Sequence, residues 1–310
     1  MKLEKVEGSK LIVWIYRKEF LYTFAKRFVK SLLSRMSKTR VLFVSQEILP
    51  FSPESLTAAS SRQIPQVAHE RGKETRIFMP RYGKINERRH QLHEVIRLSG
   101  MNLIVNDSDH PLIIKVASIP QIRLQVYFID NEEFFHRKAT LTDDSNNLFE
   151  DNDMRMIFFT KGVLETVKKL GWAPDIIHCH GWFTSLMPMY VKKLYSQDPH
   201  FADTKVVFSA YDDAFEGSLD KTIAQKVSFD HIPASELKNL SDPTYNNLVK
   251  TAIQYSDGYI AGHESLDRSI EEYAAKLEVP VLRSFEEGDP HTAIDEFFDA
   301  VHAGKSVLVD

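Results

Sequence analysis

Val41-Leu42-Phe43-Val44-Ser45 is the first of a series of short apolar runs, each set off from the next by a stretch of helical spacing. Strand is expected at 41–45, 75–79, 175–178, 205–210, 258–261 and 279–282. Helix is expected at 57–71, 154–170, 182–195, 245–255, 264–276 and 290–303. The strand runs are apolar throughout rather than on alternate residues, which means burial on both faces. Helices must then cover the sheet above and below, so the alternation dictates a mostly parallel sheet between two helical layers. The expected fold class is α/β, a single doubly wound, Rossmann-like domain spanning 38–310. No internal repeat, low-complexity tract or glycine-rich linker divides that span.

Pro65 sits inside the helix expected at 57–71 and must interrupt or bend it, and Gly72 suits its C-terminal stop. Segments 111–118 and 122–129, with Pro120 between them, read as two strands joined by a short turn, a hairpin-like pair in or near the sheet. Met156, Phe159, Val163 and Val167 share one face of 154–170. The preceding segment, 131–153, is polar and acidic, and a loop of that length inside a compact domain is functional or disordered.

With 310 residues, 43% of them hydrophobic, the chain has enough apolar material for a large core. Its charge is divided unevenly: residues 1–40 hold 11 Lys/Arg and 3 Asp/Glu, and residues 41–310 hold 28 and 40. The net charge of −4 gives no reason to expect nucleic acid as a partner. Residues 1–37 read as a basic amphipathic N-terminal extension, with Leu21, Phe24, Phe28 and Leu32 at helical spacing among Lys26, Arg27 and Lys30. One reading is a helix that docks on a membrane surface or a partner. The plainer reading is that translation starts at Met36, because Met36-Ser37-Lys38-Thr39-Arg40 leads directly into the first strand. No apolar run approaches the ~20 residues that span a bilayer. The single cysteine, Cys179, excludes an intrachain disulfide and points to the reducing cytoplasm.

In a parallel sheet, ligands gather beyond the carboxyl ends of the strands. Three such ends carry chemistry: Ser45-Gln46-Glu47, His178-Cys179-His180-Gly181-Trp182, and Tyr211-Asp212-Asp213 with Glu216-Gly217 beyond. A phosphate cradle presents backbone N–H groups at a helix N-terminus, usually reached through glycine. Neither G-x-G-x-x-G nor G-x-x-x-x-G-K occurs, and the first loop offers Pro53, which has no N–H, and Glu54, which repels an anion. Dinucleotide or triphosphate binding is not expected there. His178, Cys179 and His180 resemble metal ligands in type, but on a strand 179 points away from 178 and 180, so no metal site is expected. Asp212, Asp213 and Glu216 have the carboxylates of an acid–base pair, but a solvated acidic loop is the simpler reading. His180 or Trp182 is placed to touch a sugar.

The order of motifs resembles the N-terminal domain of bacterial glycogen synthases and plant starch synthases, the ADP-glucose-using glucosyltransferases of family 5. VLFVSQEILPF, RIFMPRYG, FIDNEEFF, EDNDMRMIFFTKGVLETVKKLGW, PDIIHCHGWFTSLMPMYVK and KVVFSAYDDAFEG follow one another as the family's segments do, over roughly residues 38–276. The resemblance implies half of a GT-B fold. It marks Glu47, Asn152, Arg155, His180 and Trp182 as surviving cleft positions, with Tyr211 and Asp212 where the family has histidine and asparagine. It also exposes departures. The family's donor-loop lysine falls on Pro53, its two glycines on Ser55 and Leu56, and a following aspartate on Ala59. The cleft pair Asp-Trp becomes Gly181-Trp182. The chain ends about where the family's donor-holding domain begins.

The resemblance therefore implies a degenerate, truncated synthase-like protein of glycogen metabolism. It is expected to be inactive alone, to need no cofactor, and to bind an α-glucan or a synthase-like partner. Two alternatives are an active transferase completed in trans by a separate donor domain, and a scaffold that self-associates as a homodimer.

Overall fold

The computed structural model describes residues 38–122 and 124–304, so the expectations for residues 1–37 lie outside the described residues. Ten strands form in chain order: β1 (Arg40–Ser45), β2 (Glu74–Pro80), β3 (His93–Glu94), β4 (Met101–Val105), β5 (Ser108–Ser118), β6 (Gln125–Asp130), β7 (Ile176–His180), β8 (Lys205–Ala210), β9 (Gly258–Ala261) and β10 (Val281–Arg283). The longer helices are α1 (Leu56–Glu70), α2 (Asn152–Lys169), α3 (Ile223–Ser228), α4 (Tyr245–Gln254), α5 (Arg268–Lys276) and α6 (Pro290–His302).

The sheet order is β10-β9-β8-β7-β1-β2-β6-β5-β3, and every pairing from β10 through β6 is parallel. The chain starts at the middle, winds outward through β2 to β6, then crosses to β7 and winds outward the other way. Strand order thus reverses between β1 and β7, which opens a crevice at their carboxyl ends. Strands β1 and β7 are buried almost throughout, as the continuous apolar runs require. The α/β, mostly parallel expectation holds, and β5 and β6 form the expected antiparallel pair.

Helices cover both faces. On one, α6 returns from the sheet edge to lie beside α1, and Phe298 packs edge-on against Phe43 and His178 at ring-centroid distances of 6.1 and 4.9 Å. Lys73, just beyond α1, is buried there against Asp295 of α6 at 2.7 Å. On the other face α2 rides close to the sheet: a Cβ at Gly162 would stand 2.9 Å from the side chain of Ile129. By register Ile129 faces away from Phe43, so α2 and α6 flank opposite sides.

The structure departs from expectation at 182–195 and at β4, and it narrows two open readings, at Pro65 and over 131–153. Residues 182–195 are not one helix but a 3-10 turn (Trp182–Thr184), a short α turn (Met187–Met189) and a π turn (Tyr190–Leu194). Pro188 has no N–H to give, which suits the first turn where helix restarts. Strand β4 lies on no continuous apolar run. It alternates in burial, and it pairs with β5 across Asn106-Asp107, where Asn106 takes the left-handed conformation that tight hairpins demand. Helix α1 runs through Pro65 rather than ending there. The 131–153 segment is ordered: Asn131 caps the turn Glu132–Phe135, and Thr142 bridges Leu148.

Candidate functional site

The carboxyl ends of β1, β7 and β8 open onto a cleft of about 830 Å³. Gln46 and Glu47 extend from β1, Trp182 from β7, and Asp213–Ser218 from β8, while the 140–148 loop faces them. The described residues lining this space carry hydroxyls, amides and the carboxylates of Glu47, Asp213 and Glu216, but no lysine, arginine or histidine. A second hollow of about 320 Å³ continues the cleft past Leu148 and Ser218 toward Glu150 and Asp220.

Asp213 joins the elements of the floor. One carboxylate oxygen accepts from Gln46 Nε2 at 3.0 Å and from the Trp182 backbone N–H at 3.4 Å, and the other accepts from the Tyr245 hydroxyl at 3.0 Å. Gln46 in turn accepts from the Phe183 N–H at 3.0 Å. Burial pushes the Asp213 carboxyl up to about 6, the Tyr245 hydroxyl and the Trp182 backbone N–H hold it back, and the nearby Glu47 charge adds to the rise. Glu47 is also raised by burial, and its bond from the Ser55 hydroxyl, at 2.7 Å, opposes this.

Ser55 is the N-cap of α1, accepting from the Ala58 N–H at 3.0 Å. The positive end of this helix is therefore met by the protein's own Glu47 carboxylate, through Ser55. Pro53 and Leu56 are exposed, Ala59 is half-buried, and none of Pro53, Ser55, Leu56 or Ala59 lines the cleft.

A family model described as the starch synthase catalytic domain matches residues 40–278. The chain belongs to this family. It is 37% identical over 219 residues to a glycogen synthase of Chlorobium limicola and 38% identical over 219 residues to that of Chlorobium phaeobacteroides, in each case over 70% of this chain and 44% of the relative. The chain thus spans less than half the length of these curated relatives. In three dimensions it is similar to the catalytic domain of starch synthase IV from Arabidopsis thaliana bound to ADP and acarbose. There the TM-score is 0.63 at 18% identity, over 80% of this chain and 52% of that one. That likeness supports the fold, half of a GT-B architecture.

Within this starch synthase domain the sequence-marked residues divide into three groups. Glu47 and Trp182 do line the cleft, although Trp182 is only 3% exposed and presents little of its ring. Phe215, half-buried and edge-on to Trp182 at 4.8 Å, is the more accessible aromatic. His180 and Tyr211 lie beneath the cleft rather than in it, fully buried and paired at 2.9 Å with rings stacked at 4°. His178 pairs likewise with Ser209 at 2.6 Å, and the two imidazole centroids are 3.9 Å apart. The sugar contact expected of His180 is corrected by this burial. Asp212 is exposed and points away from the lining.

Asn152 and Arg155 form the third group, and their expected place in the cleft is also corrected. Both are 0% exposed. Arg155 donates to Phe134 O at 2.8 Å, to Thr140 O at 2.7 Å and to Asn152 Oδ1 at 2.6 Å, while Asn152 donates to Leu141 O at 2.8 Å. Its guanidinium also lies 5.3–5.9 Å from the ring centroids of Tyr82, Phe135, Phe149 and Phe183. Burial pushes its pKa down to about 10. Thr140 and Leu141 are cleft residues, so this pair holds one wall from behind. Gln46 and Asp213 line the cleft from the strand ends named in the sequence, and Phe215 is a lining residue that the sequence did not single out. The available signal was Gly181, a glycine where the family has aspartate.

Two outcomes follow from the buried groups. Arg155→Lys offers no planar fork to three fixed acceptors and is expected to cost about 2–4 kcal/mol in urea unfolding, with faster proteolysis between 131 and 153. Unchanged stability and cleavage would contradict the role given to Arg155. Burial lowers His180 to about 3 and His178 well below the usual value, and the His180 imidazole lowers His178 further. The unfolded chain takes up protons below about pH 6.5 that the folded chain refuses, so this stabilisation is present above that value and is lost as pH falls. Their imidazole C–H signals in NMR are expected to stay constant from about pH 8 to about pH 5. Titration within that window would contradict the burial.

Proposed function

We propose that this member of the starch synthase family is a glucan-binding module that does not transfer glucose by itself. The carrying observation is the lining of the cleft, which has hydroxyls, amides, an aromatic edge and three carboxylates but no cation among the described residues. Transfer from ADP-glucose develops charge on the departing diphosphate, and stabilising that charge requires cations or backbone donors aimed at its oxygens. Pro53 supplies neither, and the start of α1 is already engaged with Glu47 through Ser55. An anionic donor meets like charges here, of which Glu47 and Asp213 are half-buried and poorly screened. A neutral glucan meets the opposite: its hydroxyls donate to carboxylates and amides, and its ring C–H faces suit Phe215. The free thiol of Cys179 is buried in the sheet, in keeping with work in the cytoplasm.

Calorimetric titration with maltoheptaose and, separately, with ADP-glucose tests this reading. Maltoheptaose is expected to bind and ADP-glucose is not. Phe215→Ala is expected to weaken maltoheptaose binding by roughly 3–10-fold, the loss of one aromatic contact. Trp182→Ala is expected to act on stability instead, because that ring is buried. Binding of ADP-glucose would contradict the reading in favour of a transferase completed in trans by a donor domain. Silence for both ligands would favour a protein partner, either a synthase or a second copy of this chain.

A further inference from the structure

Gly181 follows β7 at φ +79°, and its lack of a side chain is what lets the cleft floor close. A Cβ built there would stand 2.5 Å from the Gln46 side-chain carboxamide and 2.8 Å from Asp213 Oδ2. No real Cβ tolerates such distances, so a side chain at 181 and the carboxylate of 213 compete for one place. The resemblance puts aspartate at 181, just after β7; in this chain the carboxylate arrives from the end of β8 instead.

We propose that Asp213 is the floor residue that accepts hydrogen bonds from sugar hydroxyls, its carboxylate occupying the place that a side chain at position 181 would fill. The assignment rests on the glucan-binding reading above and names the contact within it. Three observations carry it. Asp213 lines the cleft and is only half-buried, so a ligand reaches it. Its orientation is set by donors from three separate elements: Gln46 after β1, the Trp182 N–H after β7, and Tyr245 at the start of α4. A carboxylate has about four lone-pair positions, so three fixed donors leave about one for a ligand hydroxyl. The third observation is that no cation lining the cleft neutralises it, although Glu47 is close enough to raise its pKa. Such a placement opposes stability, and it is the arrangement expected of a group kept for binding.

The test is maltoheptaose titration of five proteins: the unaltered chain, Asp213→Asn, Gly181→Ala, Gly181→Asp, and the double variant Gly181→Asp with Asp213→Gly. Asp213→Asn keeps the shape and is expected to lose about tenfold or more in affinity with its melting temperature little changed, because the amide turns one acceptor oxygen into a donor. Gly181→Ala is expected to lose as much by displacing the carboxylate. The double variant returns a carboxylate to the floor from β7 and is expected to recover to within roughly threefold of the unaltered chain. Full-strength binding by Asp213→Asn, or a double variant no better than Gly181→Asp alone, overturns the assignment and leaves the glucan reading standing. Absence of maltoheptaose binding by the unaltered chain overturns the glucan reading itself.

Discussion

Arg155 carries a charge into a site with 0% exposure and bonds it to oxygens of the segment that leads into its own helix. A cation removed from water at such cost persists only where its donors are all matched. Here its three nitrogens donate to two main-chain carbonyls and one amide oxygen, with aromatic faces around the plane. The 131–153 segment buries Phe134, Phe135 and Leu141 in the core, and this matching fixes the polar main chain around them. The cleft depends on that shape, because Thr140 and Leu141 stand in its wall and are held by Arg155 and Asn152.

The opposite side of the cleft follows from the sheet. Strand order reverses between β1 and β7, and the three strand ends there deliver Glu47, Trp182 and Asp213 to one space. Burial raises the pKa of both half-buried carboxylates, and the Glu47 charge raises Asp213 further. An arrangement of this kind suits a neutral, hydroxyl-rich ligand and disfavours a diphosphate. The engagement of Ser55 with Glu47 works in the same direction, since it satisfies the end of α1 from within the protein. The family fold is retained, and the acidic lining of its cleft is what the proposed glucan-binding reading rests on.

Much of the fold was legible because strands buried on both faces must be apolar at every position. That is why β1, β7, β8 and β9 stand out as uninterrupted runs. Strand β4 escaped the same reading because only alternate residues are buried. The break at Pro188 followed from a missing N–H, but the π turn after it answers to tertiary packing and leaves no local sign. In the site, Glu47 and Trp182 were visible as strand-end residues. Asn152 and Arg155 were marked only by the family resemblance, and their direction was not legible, since only the folded loop shows which side of the wall they serve. Asp213 was visible as one of three carboxylates in an acidic loop, but its place in the floor was not. That place depends on the absence of a Cβ at Gly181, just after the neighbouring strand, and no pattern within residues 205–217 encodes it.

The most direct measurement is a crystal structure of the protein grown with maltoheptaose. The account predicts electron density for sugar in the cleft between the 140–148 loop and the end of β8, with a hydroxyl on the Asp213 carboxylate and a ring against Phe215. Sugar bound elsewhere on the surface, or in the cleft but out of reach of Asp213 and Phe215, would contradict it.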